Sequence, residues 1–70
     1  MKLKEVILLV DCVSWVKLCK IDKDGKIIKK WKKARVTDFL TKKEYEKNKD
    51  KEVVWLKAKK KNVLFIGVKE

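Results

Sequence analysis

The chain has no histidine and no proline, and only two glycines and two cysteines among its 70 residues. Without imidazole there is no histidine base and no histidine metal ligand. Nucleophilic catalysis would then need a lysine or carboxylate beside Ser, Thr or Cys, and no motif places one. Gly25 and Gly67 stand alone, so no glycine-rich phosphate cradle is present. Cys12 and Cys19 cannot complete a four-ligand zinc site without histidines. In one continuous strand they would sit roughly 23 Å apart, too far for a disulfide unless the chain bends between them. They read as reduced, mostly buried thiols of a cytosolic protein. Neither catalysis nor a cofactor is expected.

Long apolar runs are also missing. Five apolar residues, Val6 to Val10, follow the basic start, and Asp11 ends them. That is too short for a membrane span or a signal-peptide core, and a buried first strand is expected instead. The "DKDG" string at 22–25 has the look of part of a calcium loop. In that register Lys20 would be the first ligand and Trp31 the last, so the string reads as a turn.

What is present is sharply binary. Hydrophobic residues make up 46% and charged residues 44%, leaving Ser14, Gly25, Thr37, Thr41, Asn48, Asn62 and Gly67 as the remainder. Such patterning supports a real core rather than disorder, and residues 1–70 form one small domain. The net charge of +11 is uneven: residues 1–25 carry +1, 26–35 carry +6 with no acid, 36–52 are balanced and 53–70 carry +4. Two concentrated basic stretches suggest a binding face.

Residues 3–10 read as a strand. Val6, Val10 and Val13 have roughly helical spacing, but the β-branched density favours a strand. Residues 13–21 and 26–36 read as a hairpin, with Gly25 in a left-handed bulge position. Ile21 then faces Ile27 and Lys17 faces Trp31. One face would carry Trp15, Lys17, Lys29, Trp31, Lys33 and Arg35. A two-residue Asp24-Gly25 turn is the competing register; it pairs Leu18 with Trp31 and moves that ring to the other face.

"LTKKEY" at 40–45 reads as a helix start. Thr41 would be the N-cap, Glu44 would close a capping box, and Leu40 and Tyr45 take staple positions, with the helix ending near Asn48. Residues 53–59 and 63–69 form a second hairpin through Lys60, Lys61 and a left-handed Asn62. Ala58 would face Leu64, Leu56 face Ile66 and Val54 face Val68 on the core side. The other side would pair Lys57 with Phe65, Trp55 with Gly67 and Val53 with Lys69, letting Trp55 lie over the bare Gly67 backbone.

The element order is β-β-β-α-β-β, mainly β with one short helix. It is the order of an OB-like small antiparallel barrel, with an SH3-like barrel as runner-up. In an OB topology the third strand, 26–36, lies beside the fifth, 63–69, and the basic stretches join.

Non-catalytic nucleic-acid binding is the function this composition favours, whether to single strand, duplex DNA or RNA. Lys29, Lys30, Lys32, Lys33, Arg35, Lys57 and Lys59 would hold phosphates. Trp31, Trp15, Trp55 and Phe65 are the rings near those charges. Trp31 and Trp55 are assigned to stacking, whereas Trp15 is read first as core. The alternative is a small interaction module or inhibitor for an acidic protein partner, since the same charge steers both encounters. A homodimer through an open strand edge is a further expectation, a membrane-surface role is not, and the location expected is cytoplasmic.

Overall fold

Leu3, Val6 and Ile7 are buried while Lys4, Glu5, Leu8 and Leu9 are exposed. That spacing belongs to a helix, and in the computed structural model of the protein Leu3–Ile7 is helix α1. The expected first strand is therefore absent. One helical face of this segment meets the core, and that burial outweighs the β-branched propensity of Val6, Ile7 and Val10. The segment is pinned at its start, where the Leu3 N–H donates to the Lys51 carbonyl and the Val53 N–H donates to Met1. The structure describes residues 1–60 and 62–70, without the side chains of Lys59 and Lys60.

The elements that follow are β1 (Trp15–Ile21), β2 (Ile27–Lys30), β3 (Ala34–Arg35), α2 (Val36–Phe39), α3 (Lys43–Asn48), β4 (Val53–Lys60) and β5 (Val63–Lys69). Five strands form one mixed sheet in the order β2-β1-β5-β4, with β3 pairing β1 beyond β2. β1 and β5 run parallel, from Trp15 opposite Val63 to Ile21 opposite Lys69. An all-antiparallel sheet is thus corrected to a mixed one. Periodicity within a strand does not encode the direction of its neighbour; here the β4–β5 hairpin returns so that β5 lies between β1 and β4. Among the described residues no pairing joins β4 to β2, so the sheet is open and does not close into a barrel.

The first turn forms as expected. Gly25 takes a φ of 83°, and the Asp22 carboxylate accepts from the N–H groups of Asp24 and Lys26, both at 2.9 Å. Ile21 faces Ile27, but the next pair is Lys20 with Lys29, so Ile28 is an extra residue. The bulge moves Trp31 opposite Leu18, whose carbonyl accepts its N–H at 3.0 Å. The Lys17–Trp31 pairing is corrected accordingly. The competing outcome for Trp31 is reached through a bulge rather than through a two-residue turn.

The helix expected after Thr41 is α3, but Thr41 does not cap it. The Thr41 hydroxyl donates to the Asp38 carbonyl at 2.7 Å, closing the unanticipated helix α2. Lys42 takes the N-cap position without a side-chain bond. Phe39, not Leu40, packs on Tyr45, edge to face with centroids 5.4 Å apart. Asn48 ends α3 as a buried residue whose amide donates to the Glu44 carbonyl, while Lys49 after it stays right-handed.

In the second hairpin Asn62 is left-handed with a φ of 64°, as expected; Lys61 lies outside the described residues. Ala58–Leu64, Lys57–Phe65, Leu56–Ile66 and Trp55–Gly67 are paired as expected. An irregularity at Val54 sets Val53 opposite Val68, replacing the expected Val54–Val68 and Val53–Lys69 pairs.

The core joins Val16, Leu18, Ile66 and Val68 of the sheet to Leu3, Val6 and Ile7 of α1 and Val36 and Phe39 of α2, with Tyr45 of α3 packed against it. The strand members share one face by alternation and pairing, so all three helices meet the same face. Val54, Leu56 and Ala58, expected in that core, are exposed. They sit on the outermost strand, and the core helices pack with residues of β1 and β5 instead.

Candidate nucleic-acid interface

The opposite face of the sheet presents Trp15, Lys17, Cys19 and Ile21 from β1. Val63, Phe65 and Gly67 come from β5, and Trp55 and Lys57 from β4. Cys19, Ile21 and Gly67 are buried at its base. The rings stand above them, each half-buried and each with a cation beside it. Lys33 Nζ lies 5.3 Å and Arg35 Cζ 5.0 Å from the Trp15 ring centre. Lys17 Nζ lies 6.0 Å from Phe65, and Lys57 Nζ 4.9 Å from Trp55. These distances suit cation–π attraction and hold the charged heads beside the rings.

Local structure explains the geometry. Pairing of Trp15 with Arg35 and of Val16 with Ala34 brings the end of the basic stretch across Trp15. Arg35 is fixed further by donating to the Val13 carbonyl at 3.1 Å. Trp55 can lie flat because Gly67 has no side chain beneath it. Between Phe65 and the 31–33 connection is a cavity of about 430 Å³ lined by Lys17, Lys32, Lys33, Val63 and Phe65. The ion pairs of the described residues are the N-terminus with Glu52, Lys4 with Asp50 and Lys49 with Glu46. None engages a cation of this face, so its positive field is not offset by a paired acid.

The residues expected to form the site are divided. Lys33, Arg35, Trp55 and Lys57 meet on the face, and Lys32 lines its cavity. Lys30, opposite Cys19, is exposed on the same side of edge strand β2. Trp31 and Lys29 do not join them. Trp31 packs against the helix-covered core, with Lys29 Nζ 4.9 Å and Lys20 Nζ 5.9 Å from its ring. The Lys59 side chain lies outside the described residues. Trp15, read first as core, and Phe65 take the place assigned to Trp31. Their signal lay in strand pairing: Trp15 is two residues from Lys17, and Lys57 faces Phe65.

The two basic stretches do not meet edge to edge as an OB order would have it. β1 separates residues 27–30 from β5. Among the described residues they meet at the cavity, where Lys32 and Lys33 approach Val63 and Phe65.

Among the described residues no three Cys, Asp or Glu side chains converge to hold a metal, and no helix is long and apolar enough to cross a membrane. No family model, curated protein or solved structure matches the chain.

Proposed function

We propose that this protein binds nucleic acid without catalysis, through the sheet face its helices leave uncovered. One observation carries the reading: Trp15, Phe65 and Trp55 stand on a single face, each with a lysine or arginine beside its ring. Rings supply stacking worth roughly 1–3 kcal/mol per base, and the cations supply phosphate contacts that release counterions. Lys17, Lys33, Arg35 and Lys57 are the inner phosphate contacts; Lys30 and Lys32 extend them. Trp31 with Lys29 forms a separate patch at the rim of the other face. This reading does not require the OB-like or SH3-like barrel that the element order suggests. The proposed location is the cytoplasm.

The test is a titration with short single-stranded DNA, duplex DNA and RNA at several salt concentrations, followed by tryptophan fluorescence. Binding that weakens steeply with salt and quenches fluorescence on single strands supports stacking plus phosphate contact. Salt-dependent binding without a fluorescence change confines the interaction to the backbone. No binding at low salt overturns the proposal and leaves an acidic protein as the partner this face would suit.

A further inference from the structure

Three apolar residues of β4 are left without a cover. Val54 is 51% and Leu56 48% exposed, and Ala58 is exposed beside them. β4 is also an open sheet edge. Such an edge is a template for another strand.

The direction of its backbone groups follows from the neighbours. The Asn62 carbonyl accepts from Trp15, and the Glu70 N–H donates to Ile21, so the even positions of β5 face β1. The odd positions then face β4, consistent with the Lys69 N–H donating to Glu52 at 2.9 Å. Trp55 and Lys57, opposite Gly67 and Phe65, therefore direct their backbone groups to β5. Leu56 and Ala58 direct theirs outward. The start of the edge is already taken, because Met1 accepts from Val53 and Leu3 donates to Lys51. The segment left open is 54–58.

We propose that this segment pairs antiparallel with the same segment of a second copy, about a twofold axis through Leu56. In that register Leu56 faces Leu56 of the second copy, and Val54 faces Ala58. Every pair on the apolar side is then apolar. On the other side Trp55 faces Lys57 of the second copy, setting a cation against a ring in both directions. Moving the axis to Lys57 would oppose two lysines, and moving it to Trp55 would set Ala58 opposite Glu52, whose carbonyl already accepts from Lys69. Pairing β4 with the opposite edge β2 would bring Lys29 and Lys30 toward Lys57. The favoured contact is therefore isologous and closes at a dimer. It would join the two ring-bearing faces into one surface. The contact itself does not depend on the nucleic-acid reading.

The test is sedimentation equilibrium of the protein alone, over micromolar to millimolar concentration at low and high salt. The expected result is a limiting mass of twice the 8.3 kDa chain. Self-association should tighten with salt, because each copy carries +11; nucleic-acid binding should move the opposite way. Leu56→Lys should weaken self-association at least about tenfold by opposing two ammoniums, a penalty of about 1.4 kcal/mol. Ile28→Lys on the other edge should not. Thermal unfolding of both variants checks that each is folded. Should Leu56→Lys not fold, Leu56→Cys in a Cys12→Ser background should cross-link with a short bismaleimide, and Ile28→Cys in the same background should not. A monomer throughout, association that grows beyond a dimer, undiminished association of folded Leu56→Lys, or equal cross-linking at both edges overturns the proposal.

Discussion

The indole of Trp55 lies directly on Gly67. A Cβ added at Gly67 would meet Trp55 Cε2 at 2.6 Å and Cδ2 at 2.8 Å, with Ile21 Cγ1 at 3.0 Å on the other side. The glycine makes room here for a ring; its conformational freedom is not what is used. Gly67→Ala should cost about 1–3 kcal/mol, the usual range for overpacking. It should also lift Trp55 off the sheet. Urea unfolding measures the first effect, and the native-state tryptophan emission of a Trp15→Phe, Trp31→Phe background measures the second. An unchanged midpoint and spectrum would show that the ring does not rest there.

The Trp55–Gly67 pair was legible in the sequence because two signals agree on it. Asn62 fixes the turn, and the register it implies sets apolar on apolar, Ala58 on Leu64 and Leu56 on Ile66. The first hairpin had only a turn signal. Asp22 and Gly25 set Ile21 opposite Ile27, but nothing local marks Ile28 as an extra residue. One inserted residue reverses every side chain after it, and Trp31 therefore went to the core side. Residues 3–10 failed differently: a short apolar run fits a strand or a helix, and only the position of the core decides. Parallel pairing of β1 with β5 has no local signature at all. The make-up of the candidate face was thus half legible: Trp55, Lys57, Lys33 and Arg35 stand on it as expected, and Trp15 stands where Trp31 was expected.

The different surroundings of Trp15 and Trp31 lead to opposite phenotypes. Trp15 has Lys33 and Arg35 on its ring at the open face, whereas Trp31 packs against the core. Trp15→Leu should weaken single-strand binding by about 1–3 kcal/mol, the value of one stacked base. Its effect on stability should be the smaller of the two. Trp31→Leu should lower stability and leave affinity nearly unchanged. Paired titration and urea unfolding of both variants check this; equal losses of affinity would return Trp31 to the site.

Phosphate contact has its own signature in salt. For single strands the slope of log K against log salt changes by about 0.7 for each phosphate released. Lys33→Gln and Arg35→Gln should each flatten that slope by about this amount. Lys4→Gln, at the α1 end, should leave it unchanged. Affinity of each variant at four or more salt concentrations gives the slopes. Identical slopes for all three would place the contacts elsewhere.

The attachment of α1 should respond to acid. Lys4 Nζ lies 2.9 Å from the Asp50 carboxylate, and the Lys4 N–H donates to the Lys49 carbonyl at 2.9 Å. The hydrogen bond and charge of Lys4 hold the Asp50 carboxyl below its ordinary pKa. A group depressed in the folded state stabilises it above its unfolded pKa and loses that contribution as pH falls through the folded value. Both partners are exposed, so the effect is modest and screened by salt. Amide exchange at Leu3 and Lys4, corrected for its intrinsic pH dependence, should therefore lose protection as pH falls below the usual carboxylate range. Asp50→Asn should show reduced protection already at neutral pH and lack that part of the acid response. The Glu46–Lys49 pair differs on the basic side: Glu46 raises the Lys49 pKa, so the stability this lends is present at neutral pH and is lost as pH rises through the Lys49 value. An acid response of Leu3 and Lys4 unchanged by Asp50→Asn would assign it to another carboxylate, Glu5 or Glu52, which bond to Lys2 and the N-terminus beside them.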